Sequence, residues 1–319
     1  MKKKYSLFPI FQYLKKKLKN TIIHFSNNIN NNIKINYGEI LLFENVRFNK
    51  GEITNSEKLS KKYAELCDIF VMDAFGTAHR MESSTYGVGM FSKISCAGPL
   101  FVSEIKSLTK AIKKPKKPVV TILGGSKIST KFNLLKKLIK ISNIVIVGGG
   151  IANTFLAIKN NIGNSIYEKN FINLAKEIQK NKKIFIPIDS RVQTKNNKCI
   201  MKFPNEILND EKIMDIGNNS IKKIEKIISQ AKTIIWNGPV GVFELKEFNV
   251  GTKKIAYAIA NNKKAFSIAG GGDTLAVIEM FKIKKNISYI STGGGAFLEF
   301  IEKKNLPTIQ MLKQKYQKI

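Results

Sequence analysis

A chain of 319 residues with 43% hydrophobic content has length for about two domains and apolar material for a sizeable core, which excludes a disordered or fibrous protein. Lysine and arginine outnumber aspartate and glutamate by 54 to 23, a formal net charge of +31, and charge of that size by itself points to a polyanion such as nucleic acid or an acidic membrane. Its make-up points elsewhere. Only three basic residues are arginine (Arg47, Arg80 and Arg191), and the lysines run the whole length among asparagines and isoleucines. Lys, Asn and Ile share A/T-rich codons, so drift onto solvated faces accounts for the charge better than a selected patch. No clustered charge with stacking aromatics or arginine-rich reading helix accompanies it, and a specific nucleic-acid partner is not expected.

The first 17 residues have a basic head, but their apolar stretch is broken by Pro9 and runs into lysines, unlike a signal peptide. Leu7, Ile10, Phe11, Leu14 and Leu18 fall on one helical face, so a helix is expected. Apolar runs at 21–25, 39–43 and 69–73 read as buried strands, with a helix at 56–66. The asparagine-rich stretch 27–36 reads as a loop. A helical pattern at 99–112 precedes KKPKKP at 113–118, a charged, proline-bearing break where a domain boundary is expected.

Beyond the break, strands are expected at 119–123, 144–147, 184–188, 233–236, 265–269 and 288–290, with helices reaching 140 and 159 after the first two and further helices after the fourth and fifth. Strands alternating with helices, each strand nearly continuous in apolar residues, mean a parallel sheet covered on both faces. The three cysteines (Cys67, Cys96, Cys199) stand far apart without a C-x-x-C pair, and there are two histidines. Neither a disulfide framework nor a zinc site is expected. No apolar run approaches the ~20 residues of a spanning helix, so a soluble, cytoplasmic protein is expected.

Four strands end in glycine clusters: GGSK at 124–127, GGG at 148–150, GGGDT at 270–274 and GGGA at 293–296. In an open parallel sheet such turns share the carboxyl edge, where ligands bind. Glycine lets backbone N–H groups approach closely and a helix start adds partial positive charge, so each turn can cradle a phosphate. One such turn is weak evidence, because tight strand-to-helix geometry alone requires glycine; four are much stronger. The common fingerprints are absent: there is no G-x-x-x-x-G-K-[ST], Asn153 stands where the dinucleotide pattern needs its third glycine, and there is no H-R-D or D-F-G.

Lys127 follows the first glycine turn and Lys131 lies four residues on, which on a helix puts both ammonium groups on one face. In so lysine-rich a chain, chance placement is the competing reading. Asp273 after Gly272 suits a helix N-cap and equally suits Mg²⁺ on a nucleotide, since magnesium takes one or two carboxylates plus phosphate oxygens. WNGPVGVFE at 236–244 is a rigid turn ending in Glu244, a carboxylate fit for a ribose hydroxyl, though alone it reads as surface charge.

Together LLFENVRF at 41–48, DAFGTAHR at 73–80, LGGSKISTK at 123–131, the 236–244 turn, 270–274 and STGGGA at 291–296 resemble the phosphoglycerate kinase family over nearly the whole chain. The resemblance implies an α/β protein of two Rossmann-like domains with parallel sheets: a partial phosphoglycerate-binding domain at 1–98, an interdomain helix at 99–113, a nucleotide-binding domain at 114–304 and a tail at 305–319 returning to the first. It implies reversible, Mg²⁺-dependent phosphoryl transfer between 1,3-bisphosphoglycerate and ADP, giving 3-phosphoglycerate and ATP, by a monomer. It assigns Arg47 and Arg80 to phosphoglycerate, where a guanidinium fork suits carboxylate and phosphate. Lys131, Glu244, Gly271, Gly272, Asp273 and Thr274 are assigned to the nucleotide, Asp273 to the metal, and Lys127 to the transferred group, whose spread charge calls for positioned cations.

The chain departs from the family in lacking the R-x-D-x-N strand and the H-L-G-R-P turn; YSLFPI at 5–10 matches the family's segment just after that turn. About two βα units, at ~30 residues per βαβ motif, are expected to be missing from an incomplete or mis-started first domain. Two further readings stand beside the kinase: a remnant that holds ADP or ATP without transfer, and a basic polyanion-binding protein.

Overall fold

The computed structural model describes residues 2–29, 35–303 and 305–317. Part of the expected loop at 27–36 therefore lies outside the described residues. The chain divides into two compact units, Met1–Val102 with Asn305–Ile319, and Ser103–Lys304.

In the first unit α1 (Phe8–Lys17) leads to β1 (Ile23–Ser26) and β2 (Ile40–Phe43), followed by α2 (Glu57–Ala64), β3 (Ile69–Met72), α3 (Val88–Phe91) and β4 (Ile94–Ala97). The strands pair in parallel as β1 with β2 and β3 with β4, giving two separate two-stranded sheets. They are less buried than their sequences suggest: Ile40 is 38% exposed, Ile69 52% and Val71 50%. A two-stranded sheet offers its residues too few neighbours to bury both faces. The apolar face of α1 is likewise open, with Phe8 and Phe11 stacked on Phe25 of β1 and no residue fully buried.

Helix α4 (Pro99–Ile112) carries the chain from the first unit to the second. Its first turn is held by Asp73, whose Oδ1 accepts the Phe101 N–H at 2.8 Å. The returning tail forms α12 (Pro307–Tyr316), numbered in chain order. It docks on α3 and β4 through the fully buried Met311, a hydrogen bond from Thr308 Oγ1 to Ala78 O (3.1 Å) and one from Lys315 Nζ to Ser92 O (2.5 Å).

The second unit is wound around β5 (Val119–Leu123). From it the chain runs through α5 (Phe132–Ile141), β6 (Ile144–Val147), α6 (Gly149–Leu156), α7 (Ile172–Gln179) and β7 (Ile184–Phe185). It then makes a hairpin of β8 (Ser190–Gln193) and β9 (Cys199–Lys202), adds β10 (Lys212–Ile216), and passes through α8 (Asn218–Gln230). It returns to the main sheet as β11 (Thr233–Asn237), α9 (Val250–Asn261), β12 (Phe266–Ala269), α10 (Gly272–Met280), β13 (Tyr289–Ile290) and α11 (Gly294–Lys303). The main sheet has the order β13-β12-β11-β5-β6-β7 and is parallel throughout. Every residue of β5 and β11 is buried, as expected of strands covered on both faces. Chain progression reverses between β5 and β11, which makes their carboxyl ends the topological switch point.

The smaller sheet, β10-β8-β9, is antiparallel and was not foreseen. The strand expected at 184–188 stops at Phe185. Pro187 has no N–H to give a ladder, and the carboxylate of Asp189 turns aside to accept the N–H groups of Asn219 and Ser220 at the start of α8, each at 2.8 Å.

Candidate functional site

All four glycine turns follow strands of the main parallel sheet and so lie at its carboxyl edge. The first three are tied by backbone hydrogen bonds to one another or to the 236–240 turn. Gly124 N–H donates to Asn237 O (2.9 Å), Gly149 N–H to Val240 O (3.0 Å), Ile151 N–H to Gly125 O (3.2 Å) and Gly270 N–H to Trp236 O (3.0 Å). A Cβ at Gly124 would overlap the Pro239 carbonyl, and one at Gly150 the Ser126 carbonyl. Gly271 has a φ of +103°, a conformation glycine adopts without penalty. Gly124 and Gly150 are required by close approach of main chain to main chain.

A cavity of about 530 Å³ opens over this edge, lined by Gly125, Gly149, Asn153, Val240, Glu244 and Asp273 among others. Its far wall is the bulged strand β10. There Asp215, 1% exposed, accepts the Gly251 N–H at 2.6 Å and its neighbour's, Ile216, at 2.8 Å. Burial pushes the Asp215 carboxyl up to about 7, against these hydrogen bonds and the nearby Arg191. The contact ties β10 to the start of α9, and Val242 N–H donates to Met214 O (2.8 Å) beside it. The bulge between Ile213 and Asp215 aims this side chain inward.

The expected nucleotide residues are brought together. Lys131 is half-buried, its Nζ donating to Gly124 O at 2.6 Å; burial lowers its pKa, and the nearby Asp273 opposes that shift. Gly271 precedes α10, Gly272 and Asp273 form its first turn, and Thr274 Oγ1 donates to Gly270 O (2.9 Å) and accepts the Gly238 N–H (2.7 Å). The N-cap of α10 is Gly271, so Asp273 does not occupy the capping position. Asn237, not singled out in the sequence, donates from Nδ2 to Gly270 O (2.7 Å) while its buried Oδ1 has no partner among the described residues.

Lys127 departs from the expected geometry. The segment after Gly125 is irregular up to a short 3₁₀ turn at Ser129–Lys131, so Lys127 and Lys131 do not share a helical face. Lys127 is exposed and stands near Glu168, whose carboxylate accepts both Ser129 N–H (2.7 Å) and Ser129 Oγ (2.6 Å). The amide at the start of this turn is therefore already occupied by a carboxylate, contrary to the expectation that every helix start here is a free phosphate cradle.

In the first unit Arg47 and Arg80 converge on one carboxylate. Glu82 Oε1 lies 2.8 Å from Arg47 Nη2 and 3.7 Å from Arg80 Nη1. All three line a cavity of about 550 Å³ with Asn45, Asp73 and Thr77. Both guanidinium groups remain about two-fifths exposed. The third arginine, Arg191, is buried and donates to Ile216 O and Asn218 Oδ1, each at 2.7 Å.

An open parallel sheet with glycine turns, a half-buried lysine and carboxylates gathered at its switch point defines a phosphate-handling α/β protein. The family model for phosphoglycerate kinase matches residues 1–304. A phosphoglycerate kinase of Buchnera aphidicola from Acyrthosiphon pisum is 65% identical over 98% of this chain and 81% of its own length, and that of Haemophilus influenzae is 52% identical over 97% and 81%. The structure of phosphoglycerate kinase from Coxiella burnetii matches with a TM-score of 0.91 at 43% identity, covering all of this chain and 83% of that one. The chain belongs to the phosphoglycerate kinase family, as the sequence motifs indicated. It is a kinase of glycolysis whose small-molecule substrates are 3-phosphoglycerate and ATP.

Proposed function

We propose that the cavity over the main sheet takes the nucleotide of ATP or ADP and that the Arg47 and Arg80 cavity takes the phosphoglycerate. The observation that carries this is that Glu244 and Asp273 line the crevice at the β5–β11 switch point, with Lys131 near Asp273 and bonded to Gly124 O. Lys131 and the α10 start, Gly271 to Thr274, face the phosphates, and Glu244 the ribose. Lys127 steadies the phosphoryl group in flight, where charge spread over three oxygens rewards a positioned cation.

Asp273 is the residue that would hold Mg²⁺. Among the described residues no group of three potential metal-ligating side chains exists, and one exposed carboxylate beside a phosphate site suits a magnesium that draws its other ligands from phosphate oxygens and water. When bound, the ion neutralises charge on the nucleotide phosphates. The guanidinium forks of Arg47 and Arg80 bind the substrate's anionic groups, displacing Glu82 from part of its hold on them. We further propose a cytoplasmic monomer without a specific nucleic-acid partner; no helix among the described residues is long and apolar enough to cross a membrane.

Lys127→Ala tests the catalytic assignment. Turnover of ATP with 3-phosphoglycerate should fall by about 100-fold or more while calorimetric ATP affinity stays within about threefold. Retained turnover would refute the role of Lys127. Arg47→Ala should raise the phosphoglycerate KM and leave ATP affinity unchanged.

A further inference from the structure

The segment bearing Lys127 and Lys131 starts its helix without help from its own side chains: neither the Ser129–Lys131 turn nor α5 has a side-chain cap. The first N–H groups of a helix need acceptors from elsewhere. Glu168, 39 residues on, supplies them, with Oε2 taking Ser129 N–H and Oε1 taking Ser129 Oγ. Burial works against the charge on Glu168, but the hydrogen bonds from Ser129 and from the Ile128 N–H, with Lys127 nearby, outweigh it and hold the carboxyl below the usual range.

Glu168 is itself anchored. Its N–H donates to Thr154 Oγ1 (3.2 Å), and the fully buried Thr154 donates to Gly150 O (2.8 Å) in the first turn of α6. A single run of hydrogen bonds thus connects the Gly148 turn to the lysine segment, passing beside Asn164, Ser165 and Ile166, which line the cavity.

We propose that Glu168 is a positioning residue for the nucleotide phosphates: by tethering Ser129 it fixes Lys127 and Lys131 against the glycine turns. This rests on the nucleotide reading of the cavity. It assigns the β- and γ-phosphates to lysine cations in place of the amide at the start of the Ser129–Lys131 turn, which Glu168 already occupies. Loss of the tether should therefore weaken binding of the polyphosphate portion and spare the nucleoside.

The test is calorimetric titration of the full chain with ATP and with AMP. Glu168→Ala should lower ATP affinity by about tenfold or more, the scale of lost charge-assisted hydrogen bonds, with AMP affinity within about twofold. Glu168→Gln should restore most of the ATP affinity, because its carboxamide oxygen accepts the Ser129 N–H and its nitrogen donates to Ser129 Oγ. ATP affinity unchanged or tightened in Glu168→Ala would overturn the inference, as would equal losses for ATP and AMP. A wild-type chain binding neither nucleotide would overturn the reading of the cavity, and the tether's role with it.

Discussion

Thr292 is held by Glu104 through both its groups: the Glu104 Oε1 accepts the Thr292 N–H at 2.6 Å and its Oγ1 at 2.7 Å. Glu104 is wholly buried on α4, and its other oxygen has no hydrogen-bond partner among the described residues. Thr292 stands one residue ahead of the Gly293 turn, so α4 fixes where the last glycine loop begins. Thr292→Val deprives a buried carboxylate of a hydrogen bond and should cost about 1–3 kcal/mol in urea unfolding. Unchanged stability would show that the backbone N–H alone suffices.

Lys131 is stabilised less by the fold than by what it would bind. Burial disfavours its charge, so Lys131→Met should leave the apo chain at least as stable as wild type in thermal melts. ATP affinity should fall by about tenfold or more, since an ammonium group facing phosphate is lost. A large loss of stability would mean that the hydrogen bond to Gly124 O outweighs the desolvation.

Gly124→Ala places a methyl where the Pro239 carbonyl now sits. Neither partner is a flexible side chain, so the β5 and β11 turns must separate. The expected cost is about 2–4 kcal/mol, with nucleotide affinity lost in parallel. Gly272→Ala, with open space around its Cβ position, serves as the control and should be nearly neutral in stability. Equal behaviour of the two variants would contradict the close backbone contact.

Asp215 should leave a pH signature. Its carboxyl is raised from 3.8 to about 7 in the fold, so between those values the native state holds a proton that the unfolded chain has released. The contribution is present below about pH 4 and is lost as pH rises through about 7, amounting to about 4 kcal/mol at most. Asp215→Asn cannot titrate. Relative to wild type it should gain stability from pH 4 to pH 8 in denaturant titrations. Parallel curves would place the titration elsewhere.

The second unit was readable because its central strands are buried on both faces. β5 and β6 and the helix α4 match the sequence expectation to the residue, and β11 and β12 to within one. The glycine turns at the strand ends followed directly. The hairpin β8–β9 and strand β10 were missed because Arg191 and Asp215 interrupt apolar runs, and their burial depends on partners at 216, 218 and 251. Glu168 was invisible for the same reason: its meaning lies in Ser129, far away in the chain. In the first unit the apolar runs were recognisable as strands, but burial depends on neighbouring layers that short sequence patterns do not report.

The contact between glycine turns bears on how such a chain endures compositional change. Lysine and asparagine are abundant along the whole chain, yet at the Gly124–Pro239 and Gly150–Ser126 approaches the atoms that meet are peptide carbonyls and α-carbons. Peptide atoms are the same in every codon. A pocket whose walls are main chain can be eroded only at the few positions that must stay bare, and this shelters its shape while the side chains around it are rewritten.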